Sequence, residues 1–139
     1  MSENPLATED CFPIRTHRLE LRVRYQETDA QGRCHHANYI NFFEVGRVEM
    51  LRSAGVNYRD LEAQGIFLVV TEVMCNYLEG ARYDDLLTVE TNLEWAKGVR
   101  IKHNYRILQN EKVMAHGHSI VAAVSPEGKV LRLPKWLRS

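Results

Sequence analysis

The run Tyr25-Gln26-Glu27-Thr28-Asp29-Ala30-Gln31-Gly32-Arg33-Cys34-His35-His36-Ala37-Asn38-Tyr39 gathers carboxylate, thiol, imidazole and phenol groups where a strand pattern gives way to a helical one. The first backbone N–H groups of a helix have no internal partners, and the helix dipole places about half a positive charge there. An oxyanion is stabilised at such an end. Asp29 lies seven residues before His36, so a folded-back loop brings its carboxylate toward the same point. A base or nucleophile then faces an oxyanion donor across a carbonyl, which is what acyl transfer requires.

Each of these residues also has a plainer reading. Asp29 in a Thr-Asp-x-x-Gly loop can be a turn residue bonding its own backbone. His36 can serve through its backbone N–H alone, and Tyr25 ends an apolar strand face, where it is core or substrate contact. Cys34-His35-His36 resembles a metal cluster, but adjacent ligands rarely reach one ion together and no fourth ligand stands at typical spacing, so no metal is expected. Cys34 as a nucleophile needs a lowered pKa, which a helix N-terminus can supply.

The elements that must position this loop follow from periodicity. Leu19, Leu21, Val23 and Tyr25 alternate with Arg18, Glu20, Arg22 and Arg24, which predicts a strand with one buried face. Asn38 is expected to cap a helix whose stripe, Tyr39, Phe42, Phe43, Gly46, Met50 and Ala54, runs to Gly55 over about 25 Å. A short helical turn is expected over residues 57–64. Phe67–Glu79, Leu87–Trp95, Val99–Ile107 and Lys112–Ser125 read as strands, the last three linked by Lys97-Gly98 and by Gln109–Glu111. Residues 1–13 are expected to form a flexible tail and residues 14–139 a single domain.

The order strand, helix, four strands predicts an α+β fold in which a curved five-stranded antiparallel sheet wraps around one long central helix, the hotdog shape. Exposed sheet edges are commonly paired, so assembly into a homodimer is expected, and a homotetramer as a dimer of dimers.

Bulk composition excludes several classes. Eighteen Lys plus Arg balance eighteen Asp plus Glu, leaving no general positive field for nucleic acid. The longest apolar runs, Ile66–Val70 and Ile120–Val124, fall far short of the ~20 residues of a membrane span. Cys11, Cys34 and Cys75 carry no CxxC spacing, and the Met-Ser-Glu-Asn-Pro start is unlike a secretory signal. A soluble cytoplasmic protein without disulfides is expected.

Tyr25, Thr28-Asp29-Ala30, Gly32, His36-Ala37, Tyr39, Phe43-Glu44, Arg47 and Glu49-Met50-Leu51 together resemble the 4-hydroxybenzoyl-CoA thioesterase family of hotdog proteins, in particular its Tol-Pal-associated acyl-CoA thioesterase branch. Ala81-Arg82-Tyr83, Ser125-Pro126-Glu127-Gly128 and Leu133-Pro134 also look like the family, and the resemblance covers residues 18–139. It implies hydrolysis of an acyl-CoA thioester without cofactor or metal. Asp29 attacks the carbonyl or activates water, the N–H at position 36 polarises the carbonyl oxygen, and Tyr25 and His36 join Asp29. Thr28, Gly32, Asn38 and Tyr39 are the implied substrate-binding residues. The departures are Gln31 in place of a common Gly, and Arg33, Cys34 and His35 where aliphatic and aromatic residues are usual.

Two rivals stand beside this reading. A non-catalytic acyl-CoA or acyl-carrier-protein binding module keeps the groove without depending on the Asp29 carboxylate. A hotdog hydratase uses an Asp followed five residues later by His, and position 34 is Cys. Elsewhere, Glu44 on the apolar helix is expected to hold Arg47 or a strand backbone. His116 and His118 share a strand face, read as surface. Arg82, Lys97, Arg100, Lys102 and Arg132 are candidates for the coenzyme A phosphates.

Overall fold

The computed structural model describes residues 4–139. In chain order the elements are β1 (Thr16–Arg22), a 3-10 turn (Tyr25–Glu27), α1 (Ala37–Ser53), α2 (Tyr58–Ala63), β2 (Phe67–Tyr77), β3 (Leu86–Lys97), β4 (Arg100–Gln109), β5 (Lys112–Val124) and a closing 3-10 turn (Lys135–Leu137). The strands form one five-stranded sheet in the order β1-β3-β4-β5-β2, every neighbouring pair antiparallel. β1 and β2 therefore occupy opposite edges, and the segment between them has to carry the chain across. Four interstrand spacings make about 19 Å, and the 17 residues of α1 make about 25 Å. This is the expected hotdog fold, with one main helix and a second short one.

The side of α1 against the sheet is Tyr39, Phe42, Phe43, Gly46, Arg47, Met50 and Leu51, at steps of three and four residues. Gly46 sets the closest approach to β3: a Cβ there would run into Thr91 Oγ1 and lie 2.9 Å from Val89 Cγ1. The facing strands alternate as expected, with Leu87, Val89, Thr91 and Leu93 buried on β3 and Ile101, His103, Tyr105 and Ile107 on β4. A bulge between Leu93 and Trp95 shifts the β3 register, so Ala96 is buried where the alternation points to Trp95. Gly55, at φ 96°, takes the left-handed conformation just past the helix end.

Two further expectations are corrected. Leu6 and Phe12 are buried in the cluster with Met50, Leu51 and Trp136, so a loosely held tail does not describe these two side chains. They are isolated apolar residues among polar ones, which gives no periodic signal. Asn38 is not the helix cap, because α1 begins one residue earlier and His36 takes that position. The ring of the neighbouring His35 accepts from Ala37 N–H at 3.1 Å and supplies the missing acceptor. Glu44 pairs with Arg47 at 3.9 Å, one of the two expected partners, and the buried member of the pair is Arg47, at 8% exposure. The longer Arg side chain reaches under the helix, toward Tyr58 and Tyr105.

Candidate active site

Asp29 sits at the tip of a narrow loop closed by its own backbone. Thr28 and Cys34 form an isolated antiparallel bridge. Inside it Asp29 N–H donates to Arg33 C=O at 2.8 Å, and Gly32 N–H donates to Asp29 C=O at 3.0 Å. Gly32, at φ 78°, takes the turn position that side chains disfavour. Asp29 Oδ1 accepts from the backbone N–H groups of Gln31 at 2.9 Å and Arg33 at 3.2 Å. Among the described residues Oδ2 has no hydrogen-bond partner.

The base of the loop is tied to its surroundings. Cys34 N–H donates to Ala81 C=O at 2.7 Å, and Glu27 C=O accepts from His35 N–H at 2.7 Å and from Asn38 Nδ2 at 2.9 Å. Glu27 is itself buried, its carboxylate accepting from Arg24 N–H at 2.6 Å and from the Arg24 guanidinium at 3.1 Å. His36 caps α1 in helical conformation, and among the described residues its N–H has no acceptor. Its carbonyl accepts from the Tyr77 hydroxyl at 2.9 Å.

A cleft of about 300 Å³ opens between this loop and the end of β2. Asp29, Gln31, Arg33, Cys34, His36 and Tyr39 line one side, and Tyr77, Leu78, Glu79 and Gly80 the other. The structure thus brings three of the expected residues, Asp29, His36 and Tyr39, to one cavity. The Tyr39 ring is buried, its hydroxyl accepting from Ala81 N–H at 3.2 Å. The His36 ring stacks on His35 with centroids 4.3 Å apart, and no hydrogen bond or ion pair joins it to Asp29 among the described residues.

The other expected residues do not line the cleft. Tyr25 is neither core nor cleft wall. β1 ends three residues before it, the 3-10 turn carries it to 78% exposure, and its ring packs edge-on against Tyr83. The Thr28 hydroxyl donates to Tyr25 C=O at 2.7 Å, and Asn38 faces a separate hollow beside Phe42 and Val45. These two, with Gly32, hold the loop in shape. Lys97 and Arg100 lie over Trp95, and Lys102 pairs with Glu94 at 2.9 Å. None of the five basic candidates lines the Asp29 cleft.

Electrostatics remove one alternative. Burial, with Glu27 and Asp29 adding their negative charge, pushes the Cys34 thiol up to about 11, so it is not a thiolate nucleophile at neutral pH. Among the described residues, no group of three or more His, Cys, Asp or Glu side chains could hold a metal ion, and no helix is long and apolar enough to cross a membrane. The opposite wall escaped sequence reasoning because Tyr77 to Gly80 are remote in sequence from the loop and carry no local motif. The signals within reach were Arg33, visible as a departure, and Glu27, whose spacing from Arg24 matches the carboxylate cap it forms.

Comparison with known proteins places this arrangement. The sequence model described as the thioesterase-like superfamily matches residues 23–139. The acyl-CoA thioesterase YbgC of Haemophilus influenzae is 37% identical over 121 residues, covering 86% of this chain and 89% of the relative. The acyl-CoA thioester hydrolase YbgC of Escherichia coli O6:H1 is 33% identical over 120 residues, covering 85% and 90%. Among solved structures, a protein of Aquifex aeolicus superposes with a TM-score of 0.83 at 33% identity, covering 86% of this chain and 94% of that one. The DHNA-CoA thioesterase of Staphylococcus aureus superposes at 0.82 and 30% identity, covering 85% and 80%. By the extent of the superfamily match and the identity of these relatives, the chain belongs to the thioesterase-like superfamily of hotdog proteins.

Proposed function

We propose that the protein hydrolyses an acyl-CoA thioester to the free carboxylic acid and coenzyme A, without metal or cofactor, with the Asp29 carboxylate as nucleophile or general base. The observation that carries this reading is the division of labour within that carboxylate. Oδ1 is fixed by two backbone N–H groups, which among the described residues leaves Oδ2 unpartnered, in a cleft also lined by His36, whose N–H is likewise without an acceptor among those residues. A thioester carbonyl held there has its oxygen at the helix start and its carbon before Oδ2. In the nucleophilic route Oδ2 bonds to the carbonyl carbon, the C–S bond breaks to release the thiolate, and water cleaves the resulting anhydride. In the general-base route Oδ2 takes a proton from water as the water oxygen attacks, and the proton passes to the departing sulfur. The YbgC relatives support the substrate class.

The binding-module reading draws on the same two bonds, since a residue needed only to shape the loop also has its oxygen tied to the backbone. Asp29→Asn separates the two, because an asparagine keeps Oδ1 as acceptor and removes the charge. Loss of thiol release from an acyl-CoA panel supports catalysis. Retained turnover defeats it.

The working unit is a homodimer formed through β2, paired again into a dimer of dimers. β2 is an edge strand, and it presents Val69, Val70, Val73, Met74 and Tyr77 to solvent, followed by Leu78. A long apolar edge of this kind templates pairing, and a second copy offers the same edge in reverse. Sedimentation at graded concentration tests this, and a monomer across the range overturns it.

A further inference from the structure

Arg33 is the unexplained group in the cleft. Its backbone holds the loop, donating to Asp29 Oδ1 and accepting from Asp29 N–H. Its side chain leaves the loop and crosses to the opposite wall, passing over Gly80, where a Cβ would lie 2.6 Å from Arg33 Cδ and 3.0 Å from Nε. Gly80 is not in the left-handed region, so the demand for glycine here is space for this arginine and not backbone freedom. Arg33 is half-buried, yet among the described residues its guanidinium has neither hydrogen bond nor ion pair. Of the acids that share the cleft, Asp29 has Oδ1 tied to the loop backbone and Glu79 pairs with Lys112 at 2.6 Å, and among the described residues neither pairs with Arg33.

A guanidinium carries five donors in a rigid fork that matches a carboxylate or phosphate. Holding it partly desolvated and unpaired is costly unless the ligand brings an anion. We propose that Arg33 is a specificity-determining residue that binds a carboxylate carried by the acyl group of the thioester. The proposal rests on the thioesterase reading and names its substrate class. Two oxyanion sources exist in an acyl-CoA, the acyl group and the coenzyme A phosphates. The cleft favours the first. Arg33 lines the same cleft as Asp29, while the pantetheine arm sets the phosphates well away from the thioester carbonyl that Asp29 has to reach. Arg33 also offsets the repulsion that Asp29 and Glu79 exert on an anionic acyl group, and a neutral acyl group leaves the fork unpaired.

The test compares glutaryl-CoA with valeryl-CoA, equal in carbon count and differing in the terminal carboxylate, each also as its pantetheine thioester. The wild-type protein is expected to prefer the glutaryl thioester with either carrier. In Arg33→Val the glutaryl-to-valeryl ratio of kcat/KM falls on the order of ten- to a hundredfold, the scale of a charge-assisted bidentate contact. Arg33→Lys retains part of the preference, and Gly80→Ala, which displaces the arginine without removing it, lowers the ratio in the same direction. Equal losses on both coenzyme A substrates, with none on the pantetheine pair, assign Arg33 to phosphate and overturn the proposal. So does a ratio that Arg33→Val leaves unmoved. Calorimetric binding of the same four compounds to the Asp29→Asn protein, with and without Arg33→Val, decides the carboxylate preference without turnover. Failure of the thioesterase reading and failure of the Arg33 assignment are thereby distinguished.

Discussion

The side-chain amide of Asn38, in the first turn of α1, donates to the backbone carbonyl of Glu27 at 2.9 Å, the same oxygen that accepts from His35 N–H. One carbonyl thus ties the exit of β1, the loop and the helix start together. Asn38→Ala removes the tie and leaves its partner one bond short. The expected cost is about 1 kcal/mol of stability, with a lowered kcat because Asp29 and the helix start lose their common anchor. Denaturant melts and turnover check it together; a change in neither contradicts the anchoring role.

For Asp29→Asn the two measurements should part company. The loop bonds to Oδ1 survive, so the melting temperature should stay close to that of the parent. Thiol release should drop by roughly a hundredfold or more, the scale lost with a positioned base.

Gly46→Ala sets two opposing magnitudes against each other. In an exposed helix interior the change favours stability by up to about 1 kcal/mol. Here the new methyl group meets Thr91 Oγ1 and Val89 Cγ1, and overpacking of this kind costs about 1–3 kcal/mol. Net destabilisation is expected. A rise in melting temperature shows that the sheet yields.

His103 is buried against α1, and burial, aided by the Arg47 guanidinium, lowers its pKa to about 3. The unfolded value is about 6.5, so the unfolded chain binds the extra proton first. The contribution of this residue is fully present above about pH 6.5 and is lost as pH falls toward the folded value, at up to about 1.4 kcal/mol per pH unit. Glu90, held low by Arg106 and Arg18, adds its own acid loss. The difference between the parent and His103→Gln isolates the histidine. The variant should show a shallower decline between pH 6 and pH 4, and parallel curves contradict the assignment.

Alkylation separates the cysteines. Cys11 is exposed, while Cys34 is buried with its thiol held near 11. Mass spectrometry after iodoacetamide at neutral pH should find Cys11 modified first and Cys34 last. Early modification of Cys34 points to an opened loop.

The strands and the helix were legible because β3 alternates from Leu87 to Leu93, β4 alternates from Ile101 to Ile107, and α1 keeps one apolar side. The loop was legible as a place where chemistry converges, and less so in detail. Tyr25 continues the apolar alternation of β1, and only the Glu27 cap, which turns the chain at Arg24, reveals that the strand stops short of it. Asn38 has the residue type of a cap and the position of a staple, a distinction made by His35 supplying the acceptor from its ring. Arg33 faces Gly80 across a chain separation that local spacing does not encode.

Tyr77 closes β2 and also donates its hydroxyl to the carbonyl of His36. The outer rim of the sheet is therefore mechanically coupled to the first turn of the helix that faces Asp29. A substitution on the rim of β2 that displaces Tyr77 also shifts the carbonyl of His36, so changes to this edge of the sheet and changes to the cleft that Asp29 lines arrive together.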